Sequence, residues 1–245
     1  TMSNIKIIIL ATILITLCAG FAFAGGLGLG LGLSDAFESS TPDPEPTATA
    51  AAAYEPVERP APREGLVLEE DFSREKWDVF GDSDHRKGYE LEQYFIKVDS
   101  EDFSFWSVAG AAFADFVMEV ETSQLDGPDN NDYGVILRYQ DDDNFYSFEI
   151  SGDGYYTFGK LVDGEFFSII PWQESEAINL GNDQNMLRVE AVGPNFTFYI
   201  NDELVDAAID ADFSQGDIGL LAGAYEEPGV HIAFDNLKVW EVSSK

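Results

Sequence analysis

The stretch DYGVILRYQDDDNFYSFEISGDGYYTFGKLVDGEF, residues 132–166, decides the fold class. Short runs of β-branched and aromatic residues alternate there with turn sequences rich in Asp, Asn and Gly, which is typical of β-strands joined by tight hairpins. Tyr146, Phe148 and Ile150 occupy alternate positions, and this period of two predicts one buried face. The stretch predicts strands at 132–140, 144–151 and 154–162 and the start of a fourth strand at 165–170.

The same pattern continues on both sides of this stretch. In 116–121, Phe116, Met118 and Val120 are expected to face the core, with glutamates on the opposite face. No segment after residue 65 has helical periodicity. Further strands are predicted at 66–72, 89–98, 103–108, 113–122, 185–192, 195–200, 203–208, 216–223 and 229–242. The predicted fold class is all-β, an antiparallel jelly-roll β-sandwich over residues 65–245.

Four pieces of sequence carry a family resemblance: 132–166, NMLRVEAVGPNFTFYINDELV (185–205), GDIGLLAG (216–223) and HIAFDNLKVWE (231–241). Their order resembles a bacterial extracytoplasmic module of the concanavalin A-like lectin/glucanase superfamily. It is similar to the laminin G-like and 3-keto-disaccharide hydrolase-like domains, over about residues 66–242. The resemblance implies a fold more than a function, because this fold hosts lectins, adhesion modules, hydrolases and spacers.

The N-terminus predicts a membrane segment, since no charged residue lies between Lys6 and Asp35. A bilayer-spanning helix needs about 20 apolar residues, and a signal peptide about 7–15. AFA at 22–24 is an acceptable cleavage site, so release and retention both stay open. The apolar run continues through 25–33, which favours retention, and we predict a transmembrane signal-anchor helix over residues 1–33. A stripe of small residues at spacing four predicts helix packing against another membrane subunit: Gly20, Ala24, Gly28 and Gly32.

The charge pattern predicts the topology and excludes one class of partner. Lys6 precedes the apolar run and acidic residues follow it, so the N-terminus is expected in the cytoplasm and the later chain in the periplasm or at the cell surface. Residues 34–64 are rich in Pro, Ala and Thr and predict an extended linker. The net charge of −33 repels phosphate backbones and excludes nucleic acid. The only cysteine, Cys18, excludes an intrachain disulfide.

We find no catalytic motif. Glucanases of this superfamily carry their acids as E-x-D-x-x-E or E-x-D-x-E, which places them on one face of one strand. Glu69 and Asp71 begin this spacing, but Arg74 stands where the second Glu is needed and Glu75 has the wrong parity. We therefore predict that the protein is not an enzyme. The alternative is a carbohydrate-active hydrolase of the 3-keto-disaccharide hydrolase-like type.

Acidic residues predict one structural Ca²⁺, since this cation takes six to eight oxygen ligands. Jelly-roll modules often hold it where the first and last strands meet, and there Glu70, Asp71 and Asp235 are the predicted ligands. Two other acidic groups are open alternatives, as is the interpretation of all these residues as solvated turn aspartates. The alternatives are the loop with Asp126, Asp129, Asn130 and Asp132, and the run Asp141–Asp143.

Saccharide binding requires exposed aromatic side chains beside polar groups that bind hydroxyls. The candidates are Trp106, Tyr139, Tyr155, Trp172 and Tyr225, each of which could instead belong to the core. Together the sequence predicts a non-catalytic, membrane-anchored extracytoplasmic binding module. Its partner is either another membrane protein subunit or a surface glycan.

Overall fold

The computed structural model of the chain describes residues 65–242. The predicted anchor, its packing stripe and the linker lie outside these residues. Within them, no helix is long and apolar enough to span a membrane.

The described chain forms fifteen β-strands. They are β1 Gly65–Glu70, β2 Phe80–Gly81, β3 His85–Glu90, β4 Gln93–Val98, β5 Phe103–Phe113, β6 Phe116–Asp126, β7 Asn131–Asp141, β8 Asn144–Ile150, β9 Tyr155–Val162, β10 Glu165–Glu174, β11 Asn185–Val192, β12 Asn195–Ile200, β13 Glu203–Ile209, β14 Gly216–Ala224 and β15 Val230–Glu241.

These strands form two antiparallel sheets. The nine-stranded sheet has the order β13-β12-β11-β6-β15-β4-β3-β2, with β1 also paired to β15. The six-stranded sheet has the order β10-β9-β8-β7-β14-β5. Strands β7 to β10 are consecutive hairpins, which explains why the stretch 132–166 alone predicts an antiparallel sheet. The all-β sandwich is confirmed.

The core lies between the two sheets and is rich in aromatic side chains. Phe148 of β8 and Phe158 of β9 each have their ring centroid 4.6 Å from that of Phe198 on β12. The inward positions expected from alternation are confirmed, since Tyr146, Phe148 and Ile150 are fully buried. Aromatic pairs of this kind add about 0.5–1.5 kcal/mol to the stabilisation from buried area.

The structure corrects two local predictions. The single strand expected at 89–98 is a hairpin of β3 and β4, turning at Leu91 and Glu92, whose φ angles of 52° and 63° are left-handed. The sequence has no Gly or Asn there to signal the turn. The sequence also places Arg138 and Glu149 on neighbouring strands of a predicted hairpin, which predicts an ion pair between them, and this prediction is wrong. A shift of register after Leu137 redirects Arg138, which donates hydrogen bonds to the carbonyl oxygens of Phe213 (3.0 Å) and Ala114 (2.9 Å).

Candidate saccharide-binding site

The six-stranded sheet carries a depression on its outer face, the face turned away from the core. Four apolar side chains form its floor although they occupy outward positions of their strands: Ile136, Phe145, Leu161 and Leu221. The outer face of a sandwich sheet normally carries polar residues. These four side chains are almost withdrawn from solvent beneath Trp106, Tyr139 and Phe166, so the partly exposed aromatic rings offer the accessible apolar surface. The depression is shallow and partly open to solvent.

Aromatic rings form two walls of the depression. Half-buried Trp106 stands on β5, its ring centroid 5.5 Å from that of Phe145. Phe166 of β10 packs on the same apolar cluster from the other side. Tyr139 stacks on Phe145 at 5.9 Å. An indole face beside an apolar floor suits the C–H face of a sugar ring.

The third side of the depression is polar and contains two acids. Glu149 lines it together with the hydroxyl groups of Ser104 and Ser147. Asp132 is a diagonal neighbour of Glu149 on the same face, because Gly134 of β7 pairs with Glu149 of β8. The two carboxyl groups lie close enough for each to shift the pKa of the other. Asp132 is 1% exposed and Glu149 is 7% exposed, so both are nearly withdrawn from water.

The space for Asp132 comes from a glycine. A Cβ atom on Gly223 of β14 would overlap both carboxylate oxygens of Asp132 and the hydroxyl of Ser104. The Ser104 hydroxyl donates a long hydrogen bond of 3.4 Å to Oδ2 of Asp132. Oδ1 of Asp132 is buried and receives no hydrogen bond from a described donor group. A buried acceptor without a donor is costly, and protonation of the carboxyl group would relieve this cost.

The surroundings of this acid pair disfavour two negative charges. Burial, and then the charge of Glu149, raise the pKa of Asp132 well above its usual value. Burial also raises the pKa of Glu149. The pKa of the Tyr225 hydroxyl is raised by burial, Asp132 and Glu149, which places this ring beside the pair. Two adjacent carboxyl groups in a low dielectric retain a proton at a pH where isolated ones are ionised.

The five aromatic candidates divide into two groups. Trp106, Tyr139 and Tyr225 lie on the outer face of the six-stranded sheet, around the depression and its acid pair. Tyr155 is the first residue of β9 and is 39% exposed, and half-buried Trp172 lies in β10. Neither lines the depression. Saccharide binding by any of the five stays a prediction.

The sequence interpretation missed the acid pair. It placed Asp132 in a possible cation-binding loop, whereas Asp132 lies in β7 with its side chain buried on the outer face. It paired Glu149 with Arg138 and assigned it no part in a site. With 46 Asp and Glu residues in the chain, acidity alone cannot single out these two. The one available signal is parity, since Asp132 shares a face with Gly134 and Ile136.

The predicted calcium ligands are only partly brought together. Oε1 of Glu70 pairs with Nζ of Lys76 at 2.7 Å. The pKa of Asp235 is raised by burial and then by the charges of Glu121 and Asp71, so these three carboxylates lie near one another. Residues 65–242 contain no group of three or more acid, His or Cys side chains arranged to hold a metal. Calcium binding stays a prediction, to which Asp71 and Asp235 fit better than Glu70.

The alternative acidic groups make other contacts. Oδ1 of Asp129 accepts a hydrogen bond from Gln124 (3.2 Å). Oδ1 of Asp141 accepts hydrogen bonds from the Asp143 backbone (3.0 Å) and from the Asn144 side chain (2.8 Å). These contacts shape turns and account for the acids without a metal.

Solved structures with the same fold include sugar-binding and sugar-cleaving proteins. A carbohydrate-binding module, CBM66, from Bacillus subtilis matches with a TM-score of 0.56 and 22% identity, over 67% of this chain and 95% of that one. A Bacillus subtilis protein of unknown function with a galectin-like fold matches with a TM-score of 0.59 and 9% identity, over 76% and 100%. A Bacillus licheniformis β-glucanase matches with a TM-score of 0.52 and 11% identity, over 73% and 99%.

These similarities define the class of fold, a concanavalin A-like jelly roll of the kind found in carbohydrate-binding modules, galectin-like proteins and glucanases. At such low identities they show the fold alone. No protein-family model and no curated protein matches the sequence.

Proposed function

We propose that the protein is a saccharide-binding module whose site is the depression on the outer face of the six-stranded sheet. One observation carries the proposal: the half-exposed indole of Trp106 stands over an apolar floor that ends at a buried acid pair. A sugar ring needs both surfaces, because its C–H face packs on aromatic and apolar groups while its hydroxyls bind fixed polar groups.

The geometry favours binding over catalysis. A retaining glycosidase separates its two carboxyl groups by about 5 Å, and an inverting enzyme separates them further. The carboxyl groups of Asp132 and Glu149 lie close enough to shift each other's pKa, and Asp132 is almost fully buried. An adjacent pair that shares a proton acts as one polar surface that accepts and donates hydrogen bonds. The hydrolase alternative would need a second, separated acid.

The sequence that precedes the described residues extends this proposal. The predicted anchor over 1–33 and linker over 34–64 would hold the site outside a membrane, as a module fixed to a surface or attached to another membrane subunit. A linker of this composition is extended and semi-rigid, so it would let the site reach a glycan away from the bilayer.

A panel of neutral oligosaccharides tests the proposal, with the full chain and the intrinsic fluorescence of tryptophan as the signal. Binding in the depression should change the emission of Trp106, and the Trp106→Phe variant should lose that change. The same mixtures are analysed for cleavage products. Saturable binding without products supports the binding module, whereas products would support the hydrolase. Absence of binding and of products across the panel would contradict both.

A further inference from the structure

We propose that the acid pair Asp132–Glu149 makes the depression selective for uncharged saccharides and excludes saccharides that carry carboxylate or sulfate groups. This inference rests on the proposed function and names its substrate class. It follows from the charges around the depression and from the hydrogen bonds that the pair offers.

No positive side chain offsets the acids at this site. Among the described residues, the lining of the depression contains no Lys, Arg or His. The titratable groups that act on the pair or on neighbouring Tyr225 are Asp132, Glu149 and Asp153, all acids, besides Tyr225 itself. An anionic ligand would therefore enter a site with negative charge and no counter-charge.

Lys87 of β3, whose side chain reaches the backbone of Trp106, and Lys160 of β9 are engaged elsewhere. Nζ of Lys87 pairs with Asp78 at 3.2 Å and donates a hydrogen bond to the backbone oxygen of Trp106 at 3.0 Å. Nζ of Lys160 pairs with both Asp210 and Asp212. Their charges are already balanced by acids, so neither is free to receive a ligand carboxylate.

The pair offers what a sugar hydroxyl needs. With one proton held between them, the carboxyl groups present both a donor and an acceptor, and a hydroxyl group is also both. Glu149 lines the depression and is the member of the pair that a ligand can reach, while Asp132 lies beneath the surface at 1% exposure. The hydroxyls of Ser104 and Ser147 also line the depression and can donate or accept. A carboxylate or sulfate only accepts hydrogen bonds, so it cannot donate to the carboxylate oxygens of Glu149.

Matched ligands test the inference: a neutral oligosaccharide that the full chain binds, and the same oligosaccharide with its 6-hydroxyl groups oxidised to uronates. We expect the wild-type chain to bind the neutral member at least about 100-fold more tightly. Glu149→Gln removes the charge at constant shape, and it should reduce this ratio to about tenfold or less. Glu203→Gln, an exposed site at the start of β13 in the other sheet, is the matched control and should leave the ratio unchanged.

Asp132 is nearly inaccessible and acts through Glu149, so it is a positioning residue that needs its own readout. As the pH rises through the raised pKa of the pair, its negative charge increases, and the preference for the neutral ligand should increase. In Asp132→Asn, a single ionisable carboxyl remains and the preference should vary less with pH. Melting curves of all variants establish that they are folded.

The outcomes separate this inference from the proposed function. Equal binding of the neutral and uronate ligands, or an unchanged ratio in both Glu149→Gln and Asp132→Asn, overturns the selectivity while saccharide binding stands. Absence of binding to every neutral saccharide overturns the proposed function, and the selectivity with it.

Discussion

The indole Nε1 of Trp106 donates a hydrogen bond to Oδ1 of Asp142 at 3.2 Å, and the Tyr139 hydroxyl donates to the same oxygen at 2.7 Å. One carboxylate in the turn between β7 and β8 therefore orients two aromatic side chains from different strands. Both rings border the depression through their contacts with Phe145. This arrangement makes the wall of the proposed site rigid before a ligand arrives.

Asp142→Ala should weaken saccharide binding about three- to tenfold, because Trp106 and Tyr139 lose their common acceptor and the wall becomes mobile. Stability should change little, since Asp142 is exposed. The measurement is a calorimetric titration with the best oligosaccharide of the panel. Asp143→Ala, in the same exposed turn, is the control. Equal affinities of the two variants would contradict the positioning role.

The acid pair predicts an unusual dependence of stability on pH. The pKa of Asp132 is raised in the folded state, whereas in the unfolded chain it lies near the ordinary value of about 3.9. Between these two values the folded state holds more protons, so the pair's contribution to the free energy of unfolding falls as pH rises. Asp132→Asn should therefore stabilise the protein more at pH 8 than at pH 5.

Thermal melts of wild type and variant at these two values measure this difference, and the acidity of the whole chain cancels in the comparison. The same substitution at exposed Asp143 should show no such trend. A variant whose advantage is equal at pH 5 and pH 8 would be inconsistent with a raised pKa at Asp132.

Asn185 is expected to contribute strongly to the free energy of unfolding, although it lies outside the proposed binding site. The side chain of Asn185 is fully buried. Its Oδ1 accepts hydrogen bonds from the backbone N–H of Asn179 and from the side chain of Asn201, each at 2.8 Å. Its Nδ2 donates a hydrogen bond to the backbone oxygen of Asn179 at 2.9 Å. Asn185→Ala leaves several buried groups unpaired and should cost about 2–4 kcal/mol of unfolding free energy. Chemical denaturation measures it.

Asn182→Ala is the control for this prediction, because Asn182 is exposed in the same segment. It should change the unfolding free energy by less than about 0.5 kcal/mol. If Asn185→Ala lowered the unfolding free energy by no more than about 0.5 kcal/mol, the three hydrogen bonds of the Asn185 side chain would not have the stabilising role expected of them.

Calcium binding predicts that added Ca²⁺ raises the melting temperature. A ligand at 100 times its dissociation constant stabilises the folded state by about 2.7 kcal/mol. Asp235 lies near Asp71 and Glu121. The Asp235→Asn variant should therefore show no rise in melting temperature when Ca²⁺ is added. Melts in excess Ca²⁺ and in chelator measure it. Identical melting temperatures for the wild-type chain in both conditions would contradict a structural calcium ion.

Much of the sheet structure was predictable because local patterns determine it. In β8, the alternation of Tyr146, Phe148 and Ile150 with outward residues predicts a strand and its core face. The hairpin at Leu91 and Glu92 was not predictable, since residues without turn propensity adopt left-handed angles there. Tertiary packing of Tyr89 against Tyr94, with ring centroids 5.2 Å apart, accompanies this turn.

The candidate site was predictable only in part. The type of residue suffices to nominate Trp106 and Tyr225 as candidates. The acid pair depends on the register between β7 and β8, which brings Asp132 beside Glu149, and on Gly223 in a third strand, which leaves space for the carboxyl group. The register of this hairpin shifts after Leu137, and Gly223 lies far away in the sequence, so periodicity within one strand specifies neither feature.

The central claim is that saccharide binds on the outer face of the six-stranded sheet, and the comparison of two tryptophan variants tests it most directly. Trp106→Ala and Trp172→Ala remove the same side chain from neighbouring regions, one lining the depression and one outside it. Titration of the full chain with a neutral oligosaccharide should show at least a tenfold loss of affinity, about 1.4 kcal/mol, for Trp106→Ala and nearly unchanged affinity for Trp172→Ala. Unchanged binding by Trp106→Ala, with loss in Trp172→Ala, would place the site elsewhere and contradict the account.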